Sequence, residues 1–188
     1  MKKFQETIKP FLFTILGALI FLYYLNWLQY TEAVLAMGII AIIFASYYLI
    51  FGVIDLIIGN KLPTKTRDIL CLVAISLYPL LMFIYFLLMT ITGADSLTPT
   101  GWTINIISII ISLSFAVIYA LNKFVKVAIL DKINLLMSLL FTLVLVFNIV
   151  FDPTGNPNVL GGINIILLVM HITYFFILIN ALSLENKE

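Results

Sequence analysis

The sequence predicts an all-α, polytopic integral membrane protein: six transmembrane helices running as three consecutive hairpins, with both termini cytoplasmic. Three observations predict it. The 188 residues are 63% hydrophobic and 10% charged, against roughly a quarter charged in a soluble globular domain. Six apolar stretches, Phe11–Leu28, Ala33–Ile58, Ile69–Ile91, Trp102–Leu121, Ile133–Phe151 and Gly161–Leu182, each come near the ~20 residues a helix needs to cross the hydrocarbon core. All ten basic residues fall outside those stretches and can lie on one face. With the N-terminus inside, the junctions 29–32, 92–101 and 152–160 lie outside and carry only Glu32, Asp95 and Asp152. The basic residues, from Lys2, Lys3 and Lys9 through Lys61, Lys65, Arg67, Lys123, Lys126 and Lys132 to Lys187, then lie inside, as the positive-inside rule requires. The expected location is the plasma membrane. Connections of about ten residues are too short to fold alone, so residues 1–188 read as a single transmembrane domain.

The first stretch follows a basic start that resembles a signal peptide. It ends Tyr23-Tyr24-Leu25-Asn26-Trp27 without a small-residue cleavage pattern, so an uncleaved span is expected. Trp27, Trp102, Tyr23, Tyr24 and Tyr30 fall at the outer interface, where an aromatic belt is expected. The second stretch carries Gly38, Ala41, Ala45, Tyr48, Gly52 and Asp55 at alternating spacings of three and four, the seam of a left-handed helix pair. Its small residues let a neighbouring backbone approach, within the monomer or on a partner. Asp55 is the formal charge inside an apolar stretch, and an ion pair with Lys61, Arg67 or Lys126 is its expected role.

In the third stretch, Pro79 lies about ten residues from the inner end. Lacking a backbone donor, it leaves the Ile75 carbonyl without its helical partner. Tyr78 and Tyr85 share a face nearby, and the lone cysteine, Cys71, is expected to pack as a small apolar residue. The second outer loop, 92–101, and the third, 152–158, hold the Pro and Gly that end helices and set turns. The fourth stretch repeats small residues every four positions, Ser108, Ser112, Ala116 and Ala120, a second packing face. Asn134, Ser138 and Thr142 form a polar row on the fifth. On the sixth, His171 sits ~15 Å along from Gly161, near the bilayer midplane, with Asn164 and Tyr174 on its face. Ile104-Asn105-Ile106-Ile107 recurs as Ile163-Asn164-Ile165-Ile166, a four-residue echo that arises readily by chance in an Ile-rich chain.

Several chemistries lack their residues. One histidine and one cysteine at another depth make neither a bis-histidine haem site nor a zinc site. His-Glu-x-x-His, the phosphate-binding P-loop and Gly-x-Ser-x-Gly motifs are absent, and Asp55 has no second intramembrane carboxylate for aspartyl proteolysis. No catalytic residue, metal or cofactor is therefore expected. The scattered basic residues fit an anionic leaflet rather than nucleic acid. Lysine outnumbers arginine nine to one, a usage that suits an AT-rich bacterial genome.

Three functions stay open. The first expectation is a non-catalytic accessory or subunit protein that packs in the membrane against a partner membrane protein or a second copy. The alternative is a small-molecule binding or transport protein with a midplane pocket lined by His171, Tyr174, Asn164, Tyr78 and Ser112. Last comes an ion or proton pathway through Asp55 and His171.

Overall fold

Apolar runs of this length satisfy their backbone polar groups internally, and the computed structural model is helical throughout, with no strand among the described residues. Those are residues 2–29, 32–92, 97–125, 127–150 and 163–185, with side chains described except at 2–7, 26, 32–33, 60, 123, 128, 131, 148–150, 163–165, 167 and 182–185. The helices are α1 (Lys2–Leu25), α2 (Glu32–Ile58), α3 (Thr64–Thr92), α4 (Pro99–Val125), α5 (Ala128–Val150) and α6 (Ile163–Glu185). Four segments are long and apolar enough to cross a membrane: Ile8–Gln29, Val34–Ile58, Thr64–Thr92 and Pro99–Asn122. In α5 and α6 the apolar segments among described residues are shorter, Lys132–Phe147 and Leu168–Ala181.

The α3 and α4 helices start before their apolar stretches. Thr98 caps α4 through its hydroxyl, which accepts the Gly101 N–H at 3.0 Å, while Pro99 takes the first helical position. The α3 helix starts where the Pro63 carbonyl accepts the Arg67 N–H at 3.1 Å, five residues before the predicted span. The α1 helix runs through Pro10, whose carbonyl accepts the Thr14 hydroxyl at 3.0 Å.

Each helix packs against its neighbour in sequence, α6 returns to α1, and α3 touches α6 across the middle. The Gly38–Asp55 stripe is buried along its whole length. Its Ala45–Gly52 part lies against α1, where Gly17, a residue outside any sequence pattern, supplies the matching hollow. A Cβ on Gly17 would meet the Leu49 nitrogen at 2.8 Å and the Ala45 oxygen at 2.9 Å. One on Gly52 would meet the Thr14 nitrogen at 2.8 Å and the Pro10 oxygen at 2.9 Å. Backbone thus lies on backbone in both directions, the contact that small residues permit in lipid.

An aromatic layer fills the centre with one ring from each helix. Phe13 of α1 stacks with Tyr48 of α2 at 6.1 Å, and Tyr78 of α3 with Tyr174 of α6 at 4.5 Å. Tyr174 meets Phe141 of α5 edge-on at 6.0 Å, and Phe141 stacks on Phe115 of α4 at 5.4 Å. Such ring pairs add about 0.5–1.5 kcal/mol beyond burial. The outer surfaces carry exposed Leu, Ile and Phe, among them Ile43, Ile50, Ile110, Leu139 and Phe176.

The aromatic belt departs from expectation. Tyr23 and Tyr24 are buried rather than turned to the interface, clustered with Trp27, and Trp27 in turn meets Tyr85. Hydropathy places a residue at a depth but not on a side of its helix, and here the rings plug the end of the bundle. Tyr30 lies outside the described residues.

Candidate functional site

Pro79 is built into α3, so the Ile75 carbonyl loses the N–H that a helix would offer it. The partner comes from α6: the Tyr174 hydroxyl donates to the Ile75 oxygen at 2.6 Å. Two tyrosines of α2 do the same nearby. The Tyr48 hydroxyl donates to the Ala74 oxygen, and the Tyr47 hydroxyl to the Leu70 oxygen at 2.8 Å. The part of α3 before Pro79 is thereby held from two sides by phenols that bond its backbone.

Tyr78 and His171 join the same node. The phenol oxygen and His171 Nδ1 are hydrogen-bonded, with the rings edge-on at 5.7 Å. If the phenol donates, the imidazole carries its hydrogen on Nε2. Tyr78, His171 and Tyr174 are all buried, and they are brought together as each other's neighbours rather than spaced around a ligand. No family model matches this chain, and comparison with curated proteins and with solved structures finds no match. Geometry alone therefore carries the functional reading.

Asp55 stands apart, at the end of α2. Arg67 Nε donates to its Oδ1 at 2.6 Å and Arg67 Nη2 to its Oδ2 at 3.3 Å, a forked pair. The carboxylate side chain is 1% exposed and the guanidinium 25%. A Cβ on Gly59 would overlap Asp55 Oδ1, so the glycine leaves room for this pair. Of the three cations the sequence offers, Arg67 holds the carboxylate, and Lys126 lies outside the described residues. Among the described residues no three His, Cys, Asp or Glu side chains gather as a metal site. Cys71 is buried.

The remaining predicted site residues divide. Ser112 is fully buried, yet its hydroxyl bonds neither the node nor anything else. The Asn164 side chain lies outside the described ones. In the α4 stripe Ser108 and Ala116 are buried and Ala120 half-buried, and Ser108 donates to the Ile104 carbonyl at 2.7 Å. On α5, Ser138 and Thr142 bond their own helix, whereas both amide atoms of buried Asn134 lack a partner. The Asn105 amide nitrogen reaches the Thr90 hydroxyl at 3.1 Å, but its oxygen is also unpartnered. Each unmet buried group costs about 1–3 kcal/mol, more than the ~0.6 kcal/mol a typical intramembrane hydrogen bond returns. The roles of Tyr47 and Tyr48 escape sequence reading; their one available signal is that Tyr48 interrupts a stripe of small residues.

Proposed function

We propose that this is a non-catalytic, multi-pass protein of the plasma membrane, with six spanning helices in three hairpins, both termini inside, acting as an accessory or subunit protein beside a partner membrane protein. What supports this reading above all is that Tyr78, His171 and Tyr174 satisfy one another and the α3 backbone, so the polar groups of the centre serve cohesion. The small-residue stripe of α2 is likewise occupied by α1, which leaves the exposed aliphatic faces for lipid or partner. The orientation rests on the one-sided distribution of lysine and arginine.

Two experiments test the reading. In a Cys71→Ala background, Lys65→Cys is labelled by an impermeant thiol reagent only from inside and Thr100→Cys only from outside; the reverse pattern removes the topology. A photo-crosslinking residue at Ile110 or Leu139, compared with Ile43 or Ile50, gives a stoichiometric protein adduct from one face in native membranes. Lipid adducts alone at all four positions, together with a monomeric mass in mild detergent, would sink the accessory role.

A second reading, a small-molecule binding or transport protein, draws on the unpartnered Ser112 and Asn134. The Tyr78–His171 node does not carry it, because its groups are engaged with each other. An ion path through Asp55 has least support, since that carboxylate is held by Arg67.

A further inference from the structure

One hydrogen is left over at the Tyr78–His171 bond. The pair brings two, the phenol O–H and the imidazole N–H, and a single hydrogen bond joins the phenol oxygen to Nδ1. If Nδ1 kept the imidazole hydrogen and donated it, the phenol hydrogen of fully buried Tyr78 would be stranded in the interior. With the phenol donating, the leftover hydrogen sits on Nε2, which makes no hydrogen bond among the described residues. The two nitrogens point to different sides of an imidazole, so an Nδ1 turned to Tyr78 turns Nε2 away from it.

The surroundings of His171 show what Nε2 meets. Going round α6 at about 100° per residue, Tyr174 lies about 60° to one side of His171, and Leu168 and Phe175 lie about 60° and 40° to the other. Tyr174 is buried, Leu168 exposed and Phe175 half-buried. His171 thus stands where the packed face of α6 gives way to the outer face, and its ring is 8% exposed. The Nε2 hydrogen faces that rim, beside Leu168 and Phe175.

In the topology proposed above, the rim lies near the bilayer midplane, ~15 Å from either headgroup region. Water and headgroup oxygens stay distant and acyl tails carry no acceptor, so an N–H left unmet there is costly. A second copy offers no remedy. Among the described residues the exposed side chains away from the ends of the bundle, such as Ile43, Ile50, Ile110, Leu139 and Ile172, are apolar. A different membrane-embedded chain can bring an acceptor.

We propose that a spanning helix of the partner membrane protein packs along α6 over Leu168 and Phe175 and accepts the Nε2–H of His171 on a Ser, Thr, Asn or Gln side chain at mid-depth. This contact rests on the accessory role and says where the partner sits. It also selects the partner and its register, because a helix of aliphatic side chains alone leaves the N–H unmet.

The test uses the full chain in native membranes with the photo-crosslinker p-benzoylphenylalanine in place of Leu168, and maps the adduct by mass spectrometry. One dominant adduct is expected, on a spanning segment of another membrane protein that carries a Ser, Thr, Asn or Gln. Tyr78→Phe/His171→Leu removes the outward N–H without stranding the phenol and should lower that adduct about threefold or more. Tyr78→Phe alone should keep most of it. Changing the mapped polar residue of the partner to Leu, which leaves this chain intact, should lower the adduct equally. Adducts with lipid, a small molecule or a second copy overturn the proposal, as does a partner segment without such a residue, or a yield that neither change lowers. If position 168 captures nothing while Ile110 or Leu139 captures a partner, the site is wrong and the accessory role stands. No protein adduct at any of these positions removes both.

Discussion

The Tyr174 hydroxyl donates to the Ile75 carbonyl at 2.6 Å, and Ile75 is the residue whose helical bond Pro79 removes. A proline in a spanning helix is tolerated where another helix restores the lost partner. Here α6 restores it and stacks the same ring on Tyr78 at 4.5 Å, so one side chain provides both the hydrogen bond and the packing.

Tyr174→Phe keeps the ring and removes the donor, leaving Ile75 unmet. A loss of about 1–2 kcal/mol is expected. In a Pro79→Ala background residue 79 regains an N–H that can serve Ile75, so the same change should cost less than half as much. Steric-trapping or denaturant unfolding in micelles, arranged as a double-mutant cycle, reads the difference. Equal costs in the two backgrounds would show that Tyr174 does not substitute for the proline's missing donor.

His171→Leu strands the Tyr78 hydroxyl in the interior and should cost about 1–3 kcal/mol. Adding Tyr78→Phe removes the stranded group, so the double variant should recover part of that loss. A double variant as unstable as the sum of both single ones would mean the imidazole serves something besides Tyr78.

Much of this arrangement is legible in the chain, but unevenly. Pro79 announces a needy carbonyl at Ile75, because the chemistry is local to one helix. Which side chain answers it is tertiary information: depth brings Tyr48 and Tyr174 alike toward that level, and only the packed helices give Tyr174 to Ile75 and Tyr48 to Ala74. The α2 stripe can be read from its period. Gly17 cannot, since a single glycine on α1 acquires meaning only opposite Ala45 and Tyr48. Helix rotation is the common gap: depth placed Tyr23 and Tyr24 at the interface, and rotation put them inside. The polar row of α5 showed where amides and hydroxyls lie, while Asn134's lack of a partner emerges only from the packed neighbours.

The α1–α2 contact makes a prediction about size. Gly17→Ala and Gly52→Ala each place a methyl against backbone atoms, which cannot rotate away as a side-chain tip can. Overpacking of this kind costs about 1–3 kcal/mol. Ala120→Leu, at a half-buried position of α4, should stay within about 0.5 kcal/mol. Thermal unfolding in detergent separates the two classes, and a neutral Gly52→Ala would mean the helices are not in backbone contact.

The Asp55–Arg67 pair predicts an asymmetry. Arg67→Met leaves a carboxylate whose side chain is 1% exposed without its cation, whereas Asp55→Asn leaves a guanidinium that is 25% exposed and can turn toward water or headgroups. Breaking a buried pair costs roughly 3–5 kcal/mol, and partial exposure of the arginine lowers that for the second variant to about 1–2 kcal/mol. Arg67→Met should therefore be the more damaging. Combining the two should recover stability relative to Arg67→Met alone, because the uncompensated charge is gone. Gly59→Ala should damage the pair as well, by pushing Asp55 Oδ1 out of the place it shares with Arg67 Nε. Its cost should nearly vanish in the Asp55→Asn/Arg67→Met background if the carboxylate's position is what the glycine protects. A Gly59→Ala cost that persists there would locate the glycine's role in the turn itself.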